Sequence, residues 1–325
     1  MRVFSRPRLL VSKCIEFDSC RYNGDMISDE TIRILNNFVD FIPVCPECEV
    51  GMGVPRQPVR LVLSGNECFM IQPSTGEDFS ERMELFSKKF LSGISENSGI
   101  HGIILKFKSP SCGPSNVKIY QGMDKASRSI KGSGFFASRV RDFFPALPME
   151  DEGRLKNFSI REGFYIHIFT ISDFENVMVE GNISELVKFH SRNKYLFMAL
   201  NQELLRKMGR IVANHGKRHF TEICSEYLEN LQSILSKPLR FTAVINAVQH
   251  MFGYVSQSLC ADERKYFLDL IEEYRDERIP LSVLVKILKG MAIRFNAAFI
   301  LDQTMLEPYP LELVDITDSG KGRKL

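Results

Sequence analysis

Three cysteines stand where predicted strands end. Cys14 follows the run Leu9-Leu-Val-Ser-Lys13, Cys45 closes Phe41-Ile-Pro-Val, and Cys112 follows Lys106-Phe-Lys-Ser-Pro-Ser111. In an open α/β sheet the carboxyl ends of the strands line the ligand crevice, so thiols far apart in sequence can converge on one rim. Cys45 and Cys112 lie in Gly/Pro-rich turns, Cys45 to Arg56 and Ser109 to Pro114. Such turns let the backbone approach a bulky ligand. Thiolates in those places suit a soft metal or an iron–sulfur cluster.

The same residues admit other readings. Cys45 and Cys48 have the spacing of a redox pair, although a thioredoxin-type pair starts a helix and here Gly51, Gly53 and Pro55 follow. Cys14, Cys20, Cys45 and Cys48 could form a four-thiolate zinc site, with a wide first gap and Cys112 left over. Free cysteines are also often plain buried hydrophobes, the preferred reading for Cys68, Cys224 and Cys260. Six of the eight cysteines fall in the first 112 residues. In a reducing cytosol such a cluster points to metal or catalysis rather than to disulfides.

The elements that must carry these residues differ between the two halves. Arg8–Lys13, Phe41–Cys45, Val59–Leu63 and Gly102–Phe107 are short apolar runs bounded by Gly and Pro, which suit buried strands of a parallel sheet. Between them, Ser28–Val39 and Glu77–Glu96 have helical spacing. Strand–helix alternation predicts an α/β N-terminal domain, a mostly parallel sheet with flanking helices, over residues 1–150. The polar segment from Pro148 begins a linker taken as 151–184. Residues 185–325 read as an all-α helical domain. One stripe runs through Phe189, Leu196, Leu200, Leu204, Met208 and Ile211, and others run over 220–234, 244–255 and 267–274. Pro280 opens a fifth helix through Ile293.

Composition fits this two-domain picture. The chain has 325 residues, 44% hydrophobic and 25% charged, which excludes a mainly disordered chain, a collagen or a coiled coil. At roughly 150 residues per domain, about two domains are expected. With 42 basic and 40 acidic side chains there is no global drive toward nucleic acid. Apolar runs such as Ile103–Leu105 are far too short to span a bilayer. The basic N-terminus lacks the apolar core and cleavage site of a secretory signal, so a cytoplasmic protein is expected.

The motifs then carry a resemblance. Ser12-Lys-Cys14 through Cys20 to Gly24, then Pro43-Val-Cys45-Pro-Glu47 with Gly53-Val-Pro-Arg56, and Lys108-Ser109-Pro-Ser-Cys112-Gly113 resemble the three ordered signatures of the thiouracil desulfidase family, also catalogued as domain of unknown function 523. Ile119–Gly122 and Ile130–Gly134 fit the segment after them. In the second half, Phe189–Lys194, Val248–Tyr254, Ile279–Leu281 and Leu306–Pro310 resemble the YbgA-like family, domain of unknown function 1722. The first resemblance implies a 4Fe-4S cluster held by Cys14, Cys45 and Cys112. Three ligands leave one iron open as a Lewis acid that can accept the sulfur of a thiolated pyrimidine such as 2-thiouracil or a related thioamide. Hydrolysis would then proceed without net electron transfer. Glu47 matches the family's acid/base glutamate, and Ser109 its active-site serine, although a serine before proline also serves as a turn residue. Cys20 is either a further thiol near the cluster or a fourth ligand that would close the open iron. Cys48 is read as non-essential. Arg56 and Lys108 could balance the cluster's charge or hold an anionic substrate.

Two further expectations concern the helical half. His190, Arg192, Lys194, Arg206, Arg210, His215, Lys217, Arg218 and His219 form a basic group that is either a nucleic-acid patch or a solvated face. His190 and His250 are read as structural histidines rather than metal ligands. The rival to the enzyme is a non-enzymatic iron–sulfur or zinc protein with a structural, sensing or nucleic-acid-associated role.

Overall fold

The computed structural model describes residues 2–96, 99–122, 127–213 and 216–315. Its strands are β1 (Arg8–Ser12), β2 (Asp40–Val44), β3 (Arg60–Ser64), β4 (Glu67–Gln72), β5 (Glu77–Asp78), β6 (Gly102–Leu105), β7 (Val117–Tyr120), β8 (Ser129–Gly132) and β9 (Met149–Asp151). Helices α1 (Glu30–Leu35), α2 (Pro46–Glu49), α3 (Ser80–Glu96) and α4 (Phe135–Phe143) lie among them.

One sheet has the order β2-β1-β6-β9, and every pairing in it is parallel. Its central strands are apolar on both faces. Leu9, Leu10 and Val11 of β1 and Ile103, Ile104 and Leu105 of β6 are fully buried, which is why they read as continuous runs rather than as alternation. Pro43 is tolerated in β2 because β2 is an edge strand. The second sheet, β5-β4-β3-β7-β8, is mixed. The run Val59–Leu63, expected in the parallel sheet, is β3 of this second sheet. It turns at Gly65 into an antiparallel partner, β4, and pairs in parallel only with β7. Leu10, Leu61, Met70, Met83, Ile103, Phe136 and Val140 belong to the common core.

The rest of the chain is helical: α5 (Phe158–Glu180), α6 (Ile183–Arg192), α7 (Lys194–Leu200), α8 (Gln202–Ala213), α9 (Phe220–Leu235), α10 (Phe241–Ser256), α11 (Ala261–Arg275), α12 (Leu281–Arg294) and α13 (Ala298–Leu301). Residues 158–180, inside the segment taken as a linker, are thus one helix. The stripe from Phe189 to Ile211 is divided among α6, α7 and α8. The breaks fall at asparagines whose side chains compete for backbone groups: Asn193 donates to Phe189 O at 2.8 Å, and extended Asn201 accepts from Leu204 N at 2.9 Å. The helix expected from Pro280 is α12. The contacts divide the chain into two compact units, 6–164 with 312–315 and 2–5 with 165–311.

Candidate active site

The site lies at the carboxyl edge of the parallel sheet and is built from three loops. β1 and β2 end in register, Ser12 opposite Val44, and Lys13 N still donates to Val44 O at 2.8 Å. Cys14 and Cys45 therefore leave the sheet side by side. Cys112 comes from the loop after β6, the neighbour of β1 on its other side. Neighbouring strands are about 4.8 Å apart, so Cys14 and Cys45 leave adjacent strand ends, and the loop 106–111 carries Cys112 to the same cleft.

The first loop is pinned by Ile27 N donating to Cys14 O at 2.8 Å. The second begins with Cys45 as the N-cap of α2 and Pro46 in its first turn, with Glu47 following. A helix does start at this Cys-x-x-Cys, but it is only four residues long. The chain turns back through Gly53, whose φ of 71° suits glycine, and so brings Arg56 against Glu47. Arg56 N also donates to Tyr22 O at 2.7 Å, which ties the first two loops together.

The third loop is held by a helix end. Phe135 N donates to Pro110 O at 2.9 Å, Ala137 N to Ser111 O at 3.1 Å and Gly134 N to Gly113 O at 2.8 Å. These are the N-cap and first-turn N–H groups of α4, which have no partner within their own helix. A Cβ on Gly134 would stand 2.5 Å from Ser111 O, so only glycine permits this approach. The segment Ile130–Gly134, which fits the family pattern, thus serves the cysteine loop. Inside the loop Cys112 N donates to Ser109 Oγ at 3.1 Å.

Cys14, Cys45, Cys112, Glu47 and Ser109 line one cleft of about 530 Å³. Cys45, Cys112 and Glu47 are buried, and Cys14 is half-buried. Burial pushes the Cys14 thiol up to about 12, and the neighbouring Cys20 and Cys45 add to the effect. Cys20 is likewise pushed up to about 12 and Cys48 to about 11, in both cases chiefly by burial. Burial also raises Cys112, against a hydrogen bond from Ser12. Three thiols lining one cleft are soft donors of the kind an iron–sulfur cluster takes, so the donor set fits that group. Among the described residues no three His, Cys, Asp or Glu side chains close on a single point as ligands of one ion would.

Glu47 is gripped on both oxygens. Nε and Nη2 of Arg56 each lie 2.7 Å from Oε2, and Ser111 Oγ donates to Oε1 at 2.5 Å. Arg56 Nη1 donates to Cys20 O at 3.0 Å and Gly53 O at 2.9 Å. The Arg56 guanidinium is thus occupied by protein groups and is not free to hold an anionic substrate. It does lie near thiols, with Cys48 Sγ 3.7 Å from Nη1 and Cys45 Sγ 4.0 Å from Nη2. Cys20 contributes its carbonyl here as much as its thiol. Lys108 lines the cleft with Nζ 4.7 Å from the Phe107 ring centroid. Sequence spacing does not single out Ser111 or Ser12; the second serine of Ser109-Pro-Ser111 is the available signal.

The remaining candidates lie elsewhere. Cys68 is half-buried on β4 and Cys224 is buried in α9. Cys260 is exposed at the N-cap of α11, not a core residue as expected, because its backbone N–H caps on Glu263 at 2.9 Å. His190 Nδ1 lies 3.0 Å from the buried Tyr227 OH, which makes it a structural histidine, and His250 is exposed. In the basic group, Arg192 pairs with Asp173 and Arg218 with Glu226, so these charges are engaged locally, and His215 lies outside the described residues. No described helix is long and apolar enough to cross a membrane.

Comparison with known proteins follows this division. Residues 9–152 match the family model described as 2-thiouracil desulfurase, and residues 194–310 match one described as protein of unknown function, DUF1722. The chain is 33% identical over 138 residues to the uncharacterized protein YbbK of Bacillus subtilis (strain 168), covering 41% of this chain and 89% of that one. It is 26% identical over 157 residues to the uncharacterized protein YbgA of Escherichia coli (strain K12), covering 48% and 92%. Among solved structures, a 4Fe-4S-dependent thiouracil desulfidase, TudS, aligns at 25% identity and a TM-score of 0.37, covering 46% of this chain and 93% of that one.

Proposed function

Because this chain belongs to the 2-thiouracil desulfurase family through residues 9–152, joined to a DUF1722 region at 194–310, we propose that it is an enzyme that hydrolyses the carbon–sulfur bond of a thiolated pyrimidine such as 2-thiouracil, without net electron transfer, in the reducing cytoplasm. The observation that carries this reading is that Cys14, Cys45, Cys112, Glu47 and Ser109 line one cleft. Cys14, Cys45 and Cys112 would hold a 4Fe-4S cluster. When bound, that cluster supplies an open iron that accepts the substrate sulfur.

The remaining chemistry falls to the protein. Hydrolysis needs a proton taken from water and a proton given to the departing sulfur, and Glu47 is the carboxyl placed to serve both needs. Arg56 holds Oε2 and so fixes which oxygen can exchange protons. Ser109 faces the cleft and orients the water or the pyrimidine. The loop grip by α4 keeps Ser109 and Cys112 in one geometry, which catalysis by position requires. We place this chemistry within residues 1–150.

The test is turnover under anaerobic conditions with 2-thiouracil and no added reductant. Stoichiometric uracil and hydrosulfide support hydrolysis. A strict requirement for an electron donor overturns the non-redox reaction.

A further inference from the structure

We propose that the helical unit binds one water molecule as a structural ligand, in a cavity formed by residues 2–5, α5 and the turn Thr304–Leu306. The site is independent of the desulfidase reading. The cavity has a volume of about 10 Å³, and Ser5, Thr170 and Thr304 line it. Thr170 is 3% exposed and Thr304 2%. Oγ of Ser5 and Oγ1 of Thr170 and Thr304 are buried and have no hydrogen-bond partner among the described residues. A buried hydroxyl without a partner is costly and rare in a native fold. A threonine inside a helix can satisfy its hydroxyl on the carbonyl of the preceding turn, yet Thr170 in α5 does not. Orphaned hydroxyls from three separate segments around one cavity point to a shared partner.

Size and charge select that partner. The cavity gives about the room that one water needs, and a buried water typically makes about three hydrogen bonds. Each hydroxyl can donate or accept, so one water can satisfy all three. A cation is disfavoured, because Asp173 on the cavity wall already holds Arg192 at 2.7 Å and Arg2 at 3.3 Å. Two guanidiniums thus face one carboxylate. A halide, which that surplus positive charge would attract, is larger than the space. The water has a structural consequence. Residues 2–5 belong to the same compact unit as 165–311. Arg2 Nη1 donates to Glu307 O at 3.3 Å, and the Phe4 and Phe169 rings meet edge to face with centroids 5.8 Å apart. The water adds a polar link from Ser5 to Thr170 and Thr304. It fastens the N-terminal segment and α5, both outside the matched region 194–310, to a turn inside it.

The experiment uses the full chain and needs no turnover. A high-resolution crystal structure is expected to show one spherical density bonded to at least two of the three hydroxyl oxygens at about 2.8 Å. No density in the cavity overturns the proposal. An anomalous signal there after soaking with rubidium or bromide overturns it too, because it marks an ion. Thermal melting gives a second reading. Thr170→Val and Thr304→Val each remove one hydroxyl with little change of volume. If one water serves both, their shifts are expected to be non-additive by about 2 °C in the double variant. Additive shifts overturn the shared ligand. Thr170→Ser keeps the hydroxyl and should keep the density. If the valine variants do not fold, the densities in the wild type and in Thr170→Ser decide the matter.

Discussion

Arg56 and Glu47 form a buried ion pair in which both Nε and Nη2 lie 2.7 Å from the same carboxylate oxygen, with side chains 5% and 11% exposed. Nine positions separate them in sequence, and the turn through Gly53 closes that gap. In the proposed reaction Arg56 would immobilise one oxygen of the Glu47 carboxylate.

Breaking this pair is expected to be costly. Arg56→Ala leaves a buried carboxylate unpaired and removes the donor to the Cys20 and Gly53 carbonyls. Loss of one partner of a buried pair typically costs about 3–5 kcal/mol. Chemical denaturation of the apo-protein checks this. Arg56→Lys keeps the charge but not the two-pronged geometry and should lie between. A melting point unchanged in Arg56→Ala would show that the pair contributes nothing to the fold.

Glu47→Gln separates chemistry from cofactor holding. The amide oxygen of the substituted side chain can still accept from Ser111, but the amide cannot carry a proton through the reaction. Iron and acid-labile sulfide per chain should match the wild type, and hydrosulfide release should fall by about 100-fold or more. Full turnover would remove Glu47 from the acid/base role.

The cysteines sort by position. Substituting Cys14, Cys45 or Cys112 by Ser is expected to abolish cluster retention, seen as lost visible absorbance after anaerobic reconstitution. Cys48→Ser and Cys20→Ser are expected to keep it, because Arg56 and the neighbouring loop engage the Cys20 carbonyl, which Ser retains. Loss of the cluster in Cys20→Ser would make that thiol a ligand and close the open iron.

Much of this is readable before the fold. The strands of the parallel sheet announce themselves because both faces are buried, and their apolar runs place Cys14 and Cys45 at strand ends directly. Cys112 needs more, since the loop 106–111 stands between it and the end of β6 at Leu105. Three features depend on contacts between distant segments and leave no local trace. The second sheet is fixed by antiparallel pairing of β3 with the half-exposed β4. Ser111 is defined by Glu47, 64 positions away. Gly134 matters only because Ser111 O approaches it. The helix divisions at Asn193 and Asn201 are hidden because the apolar spacing continues across them.

The helical unit carries its own pH dependence. Burial lowers His167 to about 4, and burial with the charge of Lys194 lowers His190 to about 4, against an ordinary value of 6.5. Both folded values lie below the unfolded one, so the unfolded chain binds protons first on acidification. Stability is therefore complete above about pH 6.5 and is lost as the pH falls toward 4, by a few kcal/mol in total. Melting curves between about pH 7 and 4.5 check this. His190→Asn should flatten the slope, and an unchanged slope in both His190→Asn and His167→Asn would contradict the assignment.

The most direct test of the central claim joins composition to chemistry in one sample. Protein purified and reconstituted without oxygen is assayed for iron, acid-labile sulfide and zinc per chain, and then given 2-thiouracil. About four irons and four sulfides, with uracil and hydrosulfide formed together, is the expected result. Zinc without sulfide, or a full cluster that leaves every thiolated pyrimidine intact, would contradict it.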